Sequence, residues 1–336
     1  MALIIPKNYR SDLDGRTTET AIKFIKDTFQ KELIAAMNLQ RVSAPLFVRP
    51  ETGLNDNLNG VERPVTFDAP CIGGANVEIV HSLAKWKRLT LGKYDFQPGE
   101  GLYTDMNAIR RDEEVDNLHS MYVDQWDWEA VIKKEQRELA TLKEVVKKIY
   151  ASMRRTAKKV CAEYECLKNY FMEDITFITT QELEDMYPDD TPKERENKFL
   201  REHHAACIMQ IGKVLESGIR HDGRAPDYDD WELNADIVVY YPLLDCAFEL
   251  SSMGIRVDEI SLKSQVEEAD CLERLELDFH KMILNKELPY TIGGGIGQSR
   301  LCMIMLNKAH IGEVQQSVWP ADMLKTCKDN GINIMG

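Results

Sequence analysis

The stretch that most restricts the fold is Thr291-Ile-Gly-Gly-Gly-Ile-Gly-Gln-Ser-Arg300, which runs into the apolar segment Leu301-Cys-Met-Ile-Met-Leu306. Four glycines fall between Gly293 and Gly297. A backbone without Cβ atoms admits conformations and close approaches that other residues forbid. Just ahead of a helix, it lets a flat or phosphorylated ligand lie on bare main chain near the positive helix end. The spelling is not that of a known phosphate loop. G-x-x-x-x-G-K-[ST] is absent, and Gln298 stands where G-x-G-x-x-G needs its last glycine. By themselves these residues leave two readings open, a turn before a core helix and a floor for a ligand.

At 336 residues the chain has ample core for one large domain or two ordinary ones. Its net charge, 42 − 56 = −14, disfavours binding nucleic acid through phosphates, which needs a basic face. The eight cysteines are scattered without a C-x-x-C pair, so neither a zinc site nor a disulfide framework is expected. The opening Met1-Ala-Leu-Ile-Ile-Pro6 is too short for a signal peptide, and no apolar run approaches a membrane span. These features lead us to expect reduced thiols, a cytoplasmic location and no membrane contact.

Residues 1–16 read as an extended N-terminal arm, and 17–336 as a single domain. Ile22, Ile25, Phe29, Leu33 and Ala36 recur at helical steps, predicting a helix over 18–39 capped by Thr17 or Thr18. Arg41–Val48 reads as a strand that Pro45 confines to an edge or a bulge. Strands are also expected at 64–69, 77–81, 119–126, 175–179, 206–211, 236–241 and 246–253. Leu139, Leu142, Val146, Ile149 and Met153 place a long amphipathic helix over 129–164. Hairpin-short connections predict an α+β fold, a mainly antiparallel sheet flanked by helices. A doubly wound sheet would need regular alternation of strands and helices.

Several motifs carry no chemistry. Ser82-Leu-Ala-Lys85 matches S-x-x-K, but its S-D-N and K-T-G partners are absent. The His203-His204 pair lacks further ligands. The Asp-rich loop 222–230 does not have calcium-loop spacing, and it reads equally as a solvated turn or a functional segment. Glu249-Leu-Ser-Ser-Met-Gly-Ile-Arg256 is more informative, since a carboxylate and an arginine terminate an otherwise small or apolar strand. With Asp236 on the neighbouring strand, Glu249 is suited to Mg²⁺ on a triphosphate, and Arg110 and Arg300 to clamping phosphates. A set of internal salt bridges is the competing reading.

A resemblance separates these alternatives. Arg110-Arg-Asp-Glu-Glu resembles the second motif of class II aminoacyl-tRNA synthetases, and Gly293–Arg300 their third. The helix 18–39 with Val42-Ser-Ala-Pro45 resembles the first, which builds the dimer interface in that family. His81–Arg88, Gly99–Tyr103, Tyr122–Trp128, Arg224–Trp231 and Glu249–Arg256 together resemble the ammonia-dependent asparagine synthetases, over nearly the whole chain. The segment between Trp231 and Asp236 is short against that family's pattern.

The resemblance implies a class II synthetase-like catalytic domain. It implies an ATP-dependent ligase that makes L-asparagine from L-aspartate and ammonia through β-aspartyl-AMP, with Mg²⁺ and as a homodimer. It implies catalytic roles for Asp56, Arg110 and Gln125. Aspartate would bind at His81, Ser82, Lys87, Asp127, Asp230, Ser251 and Arg256. The nucleotide would bind at Arg110, Gly293, Gly294, Gly295 and Arg300, and the metal at Asp236 and Glu249. Glutamine-using asparagine synthetases carry a nucleophilic cysteine after Met1, where this chain has Ala2. The alternatives are an aminoacyl-tRNA synthetase-like enzyme charging another acceptor, and an inactive subunit that only binds nucleotide.

Overall fold

In the computed structural model, residues 3–58 and 60–335 are described, so Ala2 lies outside them. The chain opens with helix α1 (Gly15–Met37), whose N-terminus Asp14 caps by accepting from the Thr17 amide at 2.9 Å. The cap and helix start therefore lie earlier than Thr17 or Thr18. Residues before Asp14 are not a free arm: Tyr9 is buried and donates from its hydroxyl to Glu313 at 3.0 Å.

Beyond α1 come β1 (Leu39–Arg41) and β2 (Phe47–Val48), two short strands with Pro45 in the break between them. This splits the single strand expected over 41–48, because proline lacks the amide a ladder needs. β3 (Thr66–Ala69), β4 (Ala75–Ile79), α2 (Ala84–Lys93), β5 (Gly101–Ile109) and β6 (Tyr122–Val131) follow. Helix α3 (Leu139–Glu163) begins ten residues later than the helix expected from 129, since Glu129–Val131 complete β6. β7 (Thr176–Thr179), α4 (Thr180–Met186), α5 (Pro192–His203) and β8 (Ala205–Met209) precede the long hairpin of β9 (Asp229–Tyr241) and β10 (Cys246–Arg256). The chain continues through α6 (Ser261–Glu268), α7 (Asp278–Leu284), β11 (Thr291–Gly297), α8 (Gln298–Met305) and α9 (Ala321–Asp329).

The main sheet has eight strands in the order β1-β5-β6-β11-β10-β9-β8-β7. It is antiparallel through the middle, but β1 pairs parallel to β5 and β7 parallel to β8. The sheet is thus mixed, which corrects the expectation of a mainly antiparallel one at its two edges. A three-stranded sheet, β2-β4-β3, lies beside it.

Strand alternation gives the main sheet two unlike faces. On one, Trp126, Trp128, Ile237, Val239, Met253, Ile292 and Ile296 join the apolar sides of α1 and α3 in the largest core cluster. On the middle strands the residues between them are polar, charged or without a side chain: Gln125, Asp127 and Glu129 on β6, Gly293 and Gly295 on β11. One face of the sheet is therefore core; the other is polar and bare over β6 and β11, while towards β7 and β8 Ile178, Ile208 and Val238 pack on α4 and α5.

Candidate active site

Over that polar face lies an open cavity of about 510 Å³, lined by β6, β9, β10 and β11, the start of α2 and loops around Asp56, Arg110 and Arg224. Glycine is required here by crowding. None of Gly293, Gly294, Gly295 and Gly297 has a positive φ. A Cβ on Gly293 would lie 2.7 Å from Arg256 Nη2, and one on Gly294 would lie 2.5 Å from the Ser252 carbonyl oxygen. A Cβ on Gly295 would strike the Gln125 side-chain amide. Side chains of the neighbouring strands fold across β11, which only a strand without Cβ atoms allows.

One end of the cavity is a sealed ionic lattice. Lys87 is fully buried, ion-paired to Asp127, and its Nζ donates to the carbonyls of Trp128 at 3.0 Å and Gly294 at 3.3 Å. Arg256 binds Glu129 through Nη2 at 2.8 Å and Nε at 3.1 Å, and its Nη1 pairs with Asp229. Thr291 Oγ1 donates to Glu129 at 2.7 Å. Burial pushes the Lys87 ammonium below its ordinary range and the Asp127 carboxyl above its own. Burial acts on Glu129 in the same sense, but Arg256 and Lys87 outweigh it and hold that carboxyl low. Asp56 is buried beside this lattice, accepting from Ser82 Oγ and the Leu58 amide, both at 2.8 Å.

The other end is looser. Arg110 opens a loop whose base is closed by its amide donating to the Met121 carbonyl at 2.8 Å. Its guanidinium lies 3.9 Å from Glu113, and its buried Nε has no hydrogen-bond partner. Arg300, at the start of α8, reaches the Glu249 carbonyl at 3.1 Å and carboxylate at 3.3 Å. Asp236 accepts from Arg224 at 2.6 Å. Burial, reinforced by the neighbouring Glu249 charge and resisted by Arg224, pushes its carboxyl up to about 7. Burial acts on Glu249 in the same sense, but Arg300 and Arg224 outweigh it and hold that carboxyl low, so it presents a negative charge beside Asp236 that suits a cation. No group of three or more His, Cys, Asp or Glu residues arranged for a metal occurs among the described residues, so substrate oxygens and water would have to complete such a site.

The cavity brings together Asp56, Ser82, Lys87, Arg110, Gln125, Asp127, Asp236, Glu249, Arg256, Gly294, Gly295 and Arg300. Four expected site residues stand behind its wall. His81 is buried, with Nδ1 donating to the Asp56 carbonyl at 2.9 Å, so it holds the Asp56 loop. Asp230 turns away to Arg137 at 2.8 Å, and its neighbour Asp229 faces the cavity instead. A register shift between Glu249 and Ser251 puts Ser252 on the wall, while Ser251 Oγ donates to the Gly295 carbonyl at 3.0 Å. Gly293 lies under Glu129 and Arg256.

Sequence reasoning assigned no role to Arg224, Asp229, Ser252 and His119, all on the wall. His119 is oriented by Asp116, 2.9 Å from its Nδ1. Arg224 and Asp229 lay in a recognised segment, but alternation counted back from Asp236 favours Asp230, and it is the register shift between Gly254 and Arg256 that brings Asp229 to the cavity. Within loop 222–230, Asp222 is exposed but Asp227, Asp229 and Asp230 are buried.

This fold is shared with class II aminoacyl-tRNA synthetases. The chain resembles asparaginyl-tRNA synthetase from Pyrococcus horikoshii, solved with asparaginyl-adenylate, at TM-score 0.65 and 14% identity over 90% of this chain and 70% of that one. The Entamoeba histolytica asparaginyl-tRNA synthetase, also with asparaginyl-adenylate, gives TM-score 0.64 at 10% identity, covering 90% and 66%. Likeness at such identity is one of fold. Closer relationship comes from sequence: the family Aspartate-ammonia ligase matches residues 16–331. The aspartate–ammonia ligase of Ruminiclostridium cellulolyticum is 63% identical over 99% of both chains, and that of Clostridium tetani 61% identical over 99% of this chain and 98% of its own. The chain belongs to the aspartate–ammonia ligase family.

Proposed function

We propose that this cavity joins L-aspartate to ammonia at the expense of ATP, making L-asparagine with release of AMP and pyrophosphate. The observation that carries the reading is full-length membership of the aspartate–ammonia ligase family, with relatives of that name at 63% and 61% identity. The two ends of the cavity supply the chemistry it needs.

A carboxylate is a poor acyl donor, so the β-carboxylate first attacks the α-phosphorus of ATP. Pyrophosphate leaves, and β-aspartyl-AMP forms. Ammonia then adds to the acyl carbon, the C–O bond to the phosphate breaks, and AMP departs while the nitrogen loses a proton. Arg110 and Arg300 hold the phosphates and offset charge developing at the α-phosphate. Gly294, Gly295 and Gly297 let the adenosine approach the sheet. Lys87 and Arg256 receive the substrate's carboxylates, and Asp127 and Asp229 its α-ammonium. The Gln125 amide donates to the oxyanion formed on attack, and Asp56 orients ammonia and takes its proton. Glu249 and Asp236 would hold Mg²⁺, which when bound neutralises phosphate charge.

Product analysis tests the reading. ATP, aspartate and ammonium should yield asparagine, AMP and pyrophosphate in equal amounts; tRNA charging without free asparagine would overturn it, and nucleotide binding without turnover would leave an inactive subunit.

The body from residue 17 onward acts as one catalytic domain in this reading. It works as a homodimer in the cytoplasm, paired through α1 and the segment around Pro45. Leu46, Phe47 and Phe67 support that surface, being 49%, 48% and 41% exposed. A monomer by light scattering at micromolar concentration would overturn the dimer. No described helix is long and apolar enough to cross a membrane.

A further inference from the structure

Outside the cavity, the most enclosed cluster of ionisable groups centres on Asp227, whose side chain is 0% exposed. Its Oδ2 receives Lys85 Nζ at 2.8 Å and lies 2.9 Å from His280 Nε2, with Arg274 Nη1 at 3.4 Å. Lys85 and His280 are 2% and 0% exposed. Burial keeps His280 below the ordinary imidazole range, so it meets the carboxylate as a neutral donor with its proton on Nε2. None of the four lines the cavity, and the chemistry proposed above uses none of them.

Each partner comes from an element whose neighbours do face the substrate space. Asp227 sits between Arg224 and Tyr228–Asp229, all on the wall. Lys85 sits in the first turn of α2, between Ser82 and Lys87. His280 belongs to α7, which packs on the turn leading to Asp56. A Cβ on Gly53 would come within 3.2 Å of His280 Nδ1 and 2.8 Å of Leu277 Cβ, and Gly53 has φ +67°. The loop of Asp229 and the helix of Lys87 therefore meet at one carboxylate oxygen, and the turn before Asp56 is linked to it through the His280 ring.

Stability gives no reason for this arrangement. A sealed ion pair is often matched or exceeded by apolar residues of the same volume. What a carboxylate does that leucine cannot is require several donors, from separate elements, to converge on one point.

We infer that Asp227 is a positioning residue for the aspartate end of the cavity, holding Asp229, Lys87 and Asp56 in mutual register through Lys85 and His280. This rests on the ligase reading above. The test compares wild type with His280→Phe, which removes one donor and leaves the ion pair, His280→Gln, which restores an N–H donor, and Lys85→Met/Asp227→Leu, which removes the pair and leaves Arg274, 11% exposed, as the one cation parted from the carboxylate.

The readouts are KM for aspartate and for ATP, kcat, and aspartate affinity by calorimetry, with unfolding midpoints as a check. His280→Phe should raise the aspartate KM and Kd at least fivefold and change the ATP KM less than twofold, and His280→Gln should recover to within twofold of wild type. The double variant should show the larger aspartate defect, tenfold or more. If it does not fold, the two His280 variants decide. Unchanged aspartate constants, equal loss for both substrates, or no recovery in His280→Gln would overturn the inference. Wild type that makes no asparagine would overturn the ligase reading alone, because calorimetry reads aspartate affinity without turnover.

Discussion

The two ends of the cavity are built on opposite plans. At one, Lys87, Asp127, Glu129, Asp229 and Arg256 are at most 3% exposed and already bonded to one another. At the other, Arg110 is 27% exposed, Arg300 20% and Glu249 43%, with contacts of 3.1 to 3.9 Å. Under the proposed assignment of aspartate to the first end and ATP to the second, the difference follows from what each end would hold. A small zwitterion is recognised by rigid groups whose orientation is set beforehand, and burial strengthens every such contact. A triphosphate with its cation arrives as a large mobile charge, and pyrophosphate must leave again, so weakly engaged arginines facing water suit it.

The largest effect should come from breaking the sealed end. Arg256→Met would leave Glu129 and Asp229 buried with only their longer ion pairs, to Lys87 at 3.7 Å and Arg224 at 3.9 Å, and removing one partner of a buried ion pair costs about 3–5 kcal/mol. Denaturant titration should show that loss along with lost aspartate binding; an unchanged midpoint would mean the end is not sealed in solution.

Arg110→Ala should divide the two regions cleanly. Loss of one charge-stabilising donor lowers turnover by about 10²–10³-fold. The stability change should stay within about 0.5 kcal/mol, as for other partly exposed positions. AMP formation beside thermal unfolding checks both, and undiminished turnover would remove Arg110 from the mechanism.

A smaller effect is expected where the regions meet. Gly295→Ala drives a methyl into the Gln125 amide, and overpacking of this kind costs about 1–3 kcal/mol. Asparagine formation should fall more than aspartate-dependent exchange of pyrophosphate into ATP, because Gln125 serves the second step; equal losses would place Gln125 elsewhere.

The mildest test is salt. Screening acts on exposed charges and little on sealed ones, so going from about 0.05 to 0.5 M salt should raise the ATP KM about threefold and the aspartate KM less than twofold. Parallel shifts would erase the distinction.

Much of this plan can be read along the chain, and the misses have a common cause. Period-3.6 spacing marked α1 and the body of α3. The start of α3 was misplaced because charged residues 133–138 fit a helix surface as readily as the short 3₁₀ turn, Lys134–Gln136, that they form after β6. Asp230 was chosen over Asp229, Ser251 over Ser252, and His81 was put in the cavity. In the first two cases the residue on the cavity wall is one step away, and one step along a strand reverses the face; at Asp229 the register shift between Gly254 and Arg256 makes that step. At Ser251 the register shift moves the alternation itself. The parallel pairing of β1 with β5 and β7 with β8 joins segments far apart in sequence, and no local pattern records it.

The glycine stretch divides the two kinds of knowledge most clearly. Sequence alone showed four glycines in five residues with an arginine just after them, and the resemblance to a family joined Arg110 and Glu249 to that stretch. Composition and spacing are local properties, and they survive in a linear text. Only the tertiary structure decided that these glycines form the middle of a sheet rather than a loop. There they make way for Gln125 and Arg256 from the adjoining strands. It also decided that Asp227, unremarkable in a run of aspartates, sits at the meeting point of three elements. A close approach belongs to both surfaces, and the other half of each contact lies tens of residues or more than a hundred away.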